Sequence, residues 1–389
     1  MLRECCWLIV TTEEGIYVLI GATVAQAGPY AWVAFLLAAF VVGFTAFSYA
    51  ELSTRYPVSA GEAAYVEAGF GKPRVATAVG TLVAVSGMVS ASTIAVGASG
   101  YLGALTGLPA PALTIGVVGA MGLLAWWGIT QSVMVAAIIT VIEILGLAFV
   151  IVWGIGLSER SGVPASELLP PLQGGHWGGI VGASLLAFFA FIGFEDMVNV
   201  AEEVEDPRRT MPRAIIITLV VATILYIATC IAVLLAVPMT ALAGSSAPLT
   251  LVFADAPESI QAGFAAVAVI ATVNGVLIQM IMSSRVLYGM ADRGRWPAYF
   301  ARLSLRTRTP TVATAFVTLC ILCLSLFLPI ERLAGWTSQM VLGVFLFVNL
   351  SLVLLKRQSD AAGDHFTVPI LVPVCGIVTS IALLATTIT

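Results

Sequence analysis

The sequence predicts an all-α integral membrane protein of about 11 transmembrane helices, on three observations. Hydrophobic residues make up 60% of the 389-residue chain and charged residues only 10%. An ordinary soluble domain carries about 25% charged and about 45–50% apolar residues. The apolar residues fall in runs of near-bilayer length, and at roughly 20 residues per span plus loops the chain holds about 10–12 helices. With the N-terminus placed in the cytoplasm, 15 of the 17 Lys and Arg residues fall at cytoplasmic helix ends, leaving only Arg160 and Arg332 outside.

The runs follow in order, bounded by charges and prolines. They extend from about Gly15 to Ala27, Tyr30 to Ala50, Val75 to Leu105, Pro111 to Gly128, Val133 to Leu157 and Trp177 to Val200. Those that follow extend from about Ala214 to Val237, Gln261 to Met290, Thr311 to Leu328, Leu333 to Leu355 and Val368 to Ile388. None shows the ten-residue alternation of a membrane β-barrel, so the backbone groups must be satisfied within helices. The whole of 1–389 reads as one membrane domain in the cell (cytoplasmic or plasma) membrane, with no soluble domain and no cleavable signal of the expected form.

The same arithmetic excludes classes. A net charge of −4 offers no basic footprint for nucleic acid. His176 and His365 are the only histidines, and no HExxH or Walker A pattern occurs, so neither a metal nor a cofactor is expected. No nucleophile–base set points to an enzyme. Cys230, Cys320, Cys323 and Cys375 lie inside apolar runs and read as small hydrophobes.

Ionisable groups deep in a span default to functional hypotheses. Glu143 interrupts the fifth run, where it is either a proton-coupling carboxyl or a neutral one that hydrogen-bonds a neighbouring helix. Glu195 and Asp196 follow Phe191-Ile192-Gly193-Phe194 in the middle of the sixth run. Glycine there weakens a helix by about 1 kcal/mol relative to Ala, and the acids need partners, so the segment reads as an unwound break. The alternative is a kink near the interface. The first run has a matching feature: Gly15, Ile16 and Tyr17 open a half-helix whose free N–H groups suit an anion. Interrupted segments at corresponding positions of two halves point to a transporter site. Residues 15–157 and 177–355 are then two five-helix inverted repeats, with helices 1 and 6 broken and 368–388 as an extra helix. Glu51, Glu202, Glu203 and Arg208, at cytoplasmic ends, are either gate latches or members of solvated, internally paired loops.

These motifs carry a resemblance. GIYVLIGATVAQAGPYAW, SYAELSTRYPVSAGEAAYV, FFAFIGFEDMVNVAEEVEDPRRTMPRAI and NGVLIQMIMSSRVLYGMADRGRWP, with RTRTPTVAT after them, resemble the amino acid–polyamine–organocation superfamily, in its amino acid permease branch with the cationic amino acid transporters. The resemblance covers about residues 15–388 and implies the LeuT-like inverted-repeat fold. It implies secondary transport of amino acids or related amines, by proton symport or by exchange. It places Gly15 and Ile16 at a substrate carboxylate, and Phe191, Ile192, Gly193, Phe194 and Glu195 around the amino group and side chain. Glu143 stands where some proton-coupled relatives carry lysine. Two departures accompany it: Glu13-Glu14 at the entry to a shortened first helix, and no twelfth helix. The partners implied are an amino acid, protons and the bilayer. An exchanger, a non-transporting sensor and an incomplete, inactive member of the family are the alternatives.

Overall fold

Segments this apolar fold as helices because lipid offers no hydrogen bonds to an open backbone. The computed structural model describes residues 14–57, 61–128, 133–157, 163–171, 174–204, 206–304, 306–307, 309–358 and 365–387, and among them there is no strand. The helices are α1 (Glu14–Ala27), α2 (Ala31–Arg55), α3 (Gly61–Phe70), α4 (Pro73–Thr106), α5 (Ala110–Trp127), α6 (Val133–Gly156) and α7 (His176–Phe189). They continue with α8 (Pro207–Ala236), α9 (Met239–Ala243), α10 (Glu258–Asp292), α11 (Thr311–Phe327), α12 (Ile330–Gln358) and α13 (Leu371–Ala385).

Eight helical segments among the described residues are long and apolar enough to cross a membrane, and Thr311–Phe327 and Leu371–Ala385 are shorter apolar helices. The first of the eight, Glu14–Arg55, contains two of the expected runs, joined at the 3-10 turn Gly28–Tyr30. Large apolar side chains cover the outside: Phe327 is 82% exposed and Trp127 75%. Such a surface is an aggregation hazard in water and the natural one against lipid.

The half-helices α1 and α7 form a close pair. A Cβ on Gly15 would run into the backbone of Ala190, and one on Gly179 or Gly182 would meet Gln26. The start of α1 therefore lies against the end of α7 and the end of α1 against its start, so the two are antiparallel. Small residues at such a seam let helix backbones approach where lipid supplies no hydrophobic drive.

A second tie joins α2, α12 and α13. Inside the bundle, Asn349 Nδ2 donates to Thr45 Oγ1 (2.9 Å), and Ser48 Oγ donates to Asn349 Oδ1 (2.7 Å). Gly376 of α13 leaves room for the Asn349 amide. At the Arg- and Lys-bearing ends, the fully buried Glu51 meets Lys356 Nζ at 2.6 Å and accepts the Val368 N–H at 2.8 Å. Lys356 Nζ also donates to the Val368 carbonyl (2.6 Å), and Arg55 Nε donates to His365 Nε2 (2.9 Å). Partial burial and the Arg55 charge hold His365 below its usual range, which keeps its ring nitrogen free to accept. Glu51, expected as a latch or a solvated loop residue, is thus a buried cross-link between the end of α2 and the segment leading into α13.

Candidate functional site at the helix break

The sixth run breaks where the sequence places the break. Helix α7 stops at Phe189, residues 190–193 form turns, and a 3-10 helix continues over Phe194–Glu203. The pivot is Gly193, with φ 122°, a conformation that L side chains rarely adopt. Its N–H donates to Glu195 Oε2 at 2.8 Å. The break therefore positions its own carboxylate.

A cavity of about 30 Å³ lies beside the break, with room for a water molecule or two and too small for an amino acid. Its polar lining comes from five regions of the chain: Glu62 on α3, Ser86 and Ser90 on α4, Glu195 and Asp196 at the break, Gln279 and Ser283 on α10, and Thr337 on α12. Phe345 and Thr337 of α12 close another wall. Gln279 Nε2 donates to Asp196 Oδ2 (3.0 Å), and Tyr49 Oη donates to Glu62 Oε1 (3.3 Å). Ser283 Oγ is buried and has no hydrogen-bond partner among the described residues.

Glu14, at the start of α1, is buried with its carboxyl against Gly275 of α10, and it interacts electrostatically with Asp196. Glu62 and Glu195 interact with Asp196 in the same way. Four carboxyls from three parts of the chain thus share one region. Carboxyls that close together cannot all ionise without a counter-charge, so the region favours a proton or a cation. Among the described residues no group of acids, His and Cys is arranged to hold a metal ion.

The expected substrate and proton residues divide into four sets. Ile192 and Glu195 line the cavity, and Gly193 holds Glu195 in place. Gly15 abuts the break through Ala190, and Ile16 is fully buried in α1. Phe191 packs on Tyr226, whereas Phe194 joins Tyr49 and Phe345 in an aromatic wall. Tyr17 and Glu143 form a separate junction: Tyr17 Oη donates to the Glu143 carbonyl at 3.0 Å, and Tyr101 Oη donates to the Tyr17 carbonyl at 2.7 Å. Glu143 is 1% exposed and does not line the cavity. Removing the hydroxyl in Tyr17→Phe deletes one buried hydrogen bond, and its expected cost is about 1 kcal/mol, read as a lower melting temperature in detergent.

Arg208 is exposed at the start of α8 and adds to the positive field at His365. The backbones of Glu202 and Glu203 lie in the 3-10 helix, and their side chains fall outside the described residues, as does Glu13. Sequence reasoning noticed Glu14 only as a departure at the entry to the first helix, passed over Glu62, and left Gln279 and Ser283 unranked. For Glu14, Gln279 and Ser283 the available signal was a polar side chain in or beside an apolar run; Glu62 offered none.

A broken span bordering a polar cavity inside an apolar helical bundle is an arrangement that membrane transporters use at their substrate sites. The comparisons agree. The family model described as amino acid permease matches residues 3–389, and the chain belongs to that family. It is 32% identical to the vacuolar cationic amino acid transporter 2 of Arabidopsis thaliana over 374 residues, 89% of this chain and 57% of the relative. It is 29% identical to the branched-chain amino acid permease BcaP of Bacillus subtilis over 380 residues, 91% of this chain and 80% of the relative. A methylthioribose transporter of the same bacterium is 26% identical over 387 residues, 94% of this chain and 82% of the relative. The chain thus spans less than two thirds of the length of the plant relative.

Proposed function

We propose that the chain is a secondary active transporter that moves amino acids, or related amines, across the cytoplasmic membrane by alternating access. The observation that supports this most directly is the break at Gly193, which turns a membrane-spanning helix into a polar half-site beside a buried cavity. Permease and transporter names among the relatives support the amino acid class. The substrate ammonium pairs with Glu195 and Asp196, and the close pair α1–α7 carries the rest of the substrate. Residues 15–157 and 177–355 form the two repeats, and the Arg- and Lys-rich ends, with the N-terminus, face the cytoplasm.

Protons drive the cycle by symport. Glu143 is the first candidate for the coupled proton, because its carbonyl is bonded to Tyr17 and so joins α6 to the substrate-bearing half-helix. Exchange of one amino acid for another is the second reading, favoured by the position of Glu143 outside the cavity.

Uptake of a panel of labelled amino acids into proteoliposomes, with and without an inward proton gradient, separates the readings. Gradient-dependent accumulation is the expected result. Flux only into vesicles preloaded with amino acid makes the protein an exchanger, and saturable binding without flux makes it a sensor. Glu143→Gln is expected to abolish the pH dependence of uptake, and an unchanged pH profile would remove Glu143 from the coupling step.

A further inference from the structure

We propose that Glu62, on the loop helix α3, is the group from which the cavity gives up a proton when it opens on the Arg- and Lys-rich side. The inference rests on the transport reading above and adds a coupling residue that lies outside the membrane-spanning segments.

The geometry carries it. Helix α3 links the end of α2, with Arg55, to the start of α4, with Lys72 and Arg74 just around it. It packs on α4 and α12 and touches the 3-10 helix beyond the break. From there Glu62 points into the same cavity as Glu195, Asp196 and Ser283, and it is 3% exposed. Glu62 thus joins the cavity to the short helix that connects the Arg- and Lys-bearing ends of α2 and α4. The unpartnered hydroxyl of Ser283, 2% exposed and lining the same space, marks the cavity as one that takes a polar guest.

The groups facing Glu62 are few. The break presents the carboxyls of Asp196 and Glu195. Helix α2 presents the Tyr49 hydroxyl, which donates to Glu62, and α3 itself presents Tyr65. Helix α4 lines the cavity with Ser86 and Ser90, α10 with Gln279 and Ser283, and α12 with Thr337, none of which is an acid or a base.

Burial chiefly pushes the Glu62 carboxyl up to about 7, the Asp196 charge adds to this, and hydrogen bonds from the backbone and Tyr49 oppose it. In the closed state Glu62 is therefore largely protonated just below neutrality. Opening admits water and removes the main cause of the shift, so the carboxyl returns toward its ordinary value of 4.5. The acid O–H bond then breaks, the proton passes to an entering water, and the carboxylate keeps the hydrogen bond from Tyr49. Openings just below neutrality then release, on that side, the proton that Glu62 holds.

By linkage, protonation favours the state with the higher pKa, which is the closed one. The open fraction is expected to rise roughly tenfold per pH unit between about pH 5 and 7 and to level off outside that window.

The test is the rate at which a membrane-impermeant thiol reagent labels Val83→Cys in the cavity wall, measured from pH 4.5 to 8 in full-length protein. The same cysteine in a Glu62→Gln background supplies the reference for the reagent's own pH dependence. An amide oxygen still accepts the Tyr49 hydrogen bond, so this variant keeps the packing. With Glu62 intact, the labelling rate divided by that of the Glu62→Gln reference is expected to rise steeply across pH 5–7, and Glu62→Asp is expected to restore the rise. Parallel profiles for the two proteins, or a Glu62→Asp profile as flat as that of Glu62→Gln, overturn the proposal. Labelling does not require flux. Absence of amino acid transport with the steep ratio present defeats the transport reading and leaves the titration of Glu62 standing. Transport with parallel profiles does the reverse.

Discussion

Alanine at position 193 is expected to weaken substrate binding by roughly ten- to a hundredfold while the protein still inserts and purifies. Gly193 holds φ at 122°, where a Cβ is strained, and strain of this kind costs about 1–3 kcal/mol. The chain relieves it by rotating away from that conformation. Its N–H then leaves Glu195 Oε2, and the carboxylate loses the orientation that the 2.8 Å bond fixes. Gly193→Leu adds bulk beside Ile192 and Phe194 and should remove binding altogether. Equilibrium binding of labelled amino acid to purified protein measures both, with the melting temperature as a folding control. Affinity unchanged in the leucine variant would contradict the placement of the site at the break.

Glu51→Ala should cost the most stability of any single change at the α2–α12–α13 tie. It strands the Lys356 ammonium, whose side chain is 15% exposed, and leaves the Val368 N–H without its acceptor. Breaking one partner of a buried pair costs about 3–5 kcal/mol, and the partial exposure of Lys356 puts this case toward the lower end. The readout is a fall in melting temperature in detergent. The double variant Glu51→Ala with Lys356→Met is expected to be more stable than Glu51→Ala alone, because the uncompensated charge is gone. Simple addition of the two losses would show that the pair is not the source of the effect.

The membrane class and the break were legible in the sequence because each is a local property. Run length and charge deficit need no partner, and a glycine followed by two acids in the middle of a span is conspicuous wherever the helix packs. Which face of each helix turns inward was not legible. Spans that are apolar nearly all round carry little rotational signal, so Gln279 and Ser283 were indistinguishable from polar residues that only join helices. Glu62 lies outside every apolar run and reads as an ordinary loop acid until α3 folds back against α12. Glu51 stood out at the end of its run, but its partners Lys356 and Val368 are more than 300 residues away in sequence, so the cross-link they make was not legible. Glu143 was visible as a buried carboxyl, but only the packing of α1 on α6 shows that its carbonyl meets Tyr17 rather than the cavity.

The seam of Gly15, Gly179 and Gly182 has a mechanical consequence. Because glycine stands on one side of each contact, α1 and α7 approach closely at both ends, against Ala190 at one and Gln26 at the other. Contact at both ends resists relative sliding, so a residue larger than glycine at any of these three positions is expected to push the two helices apart.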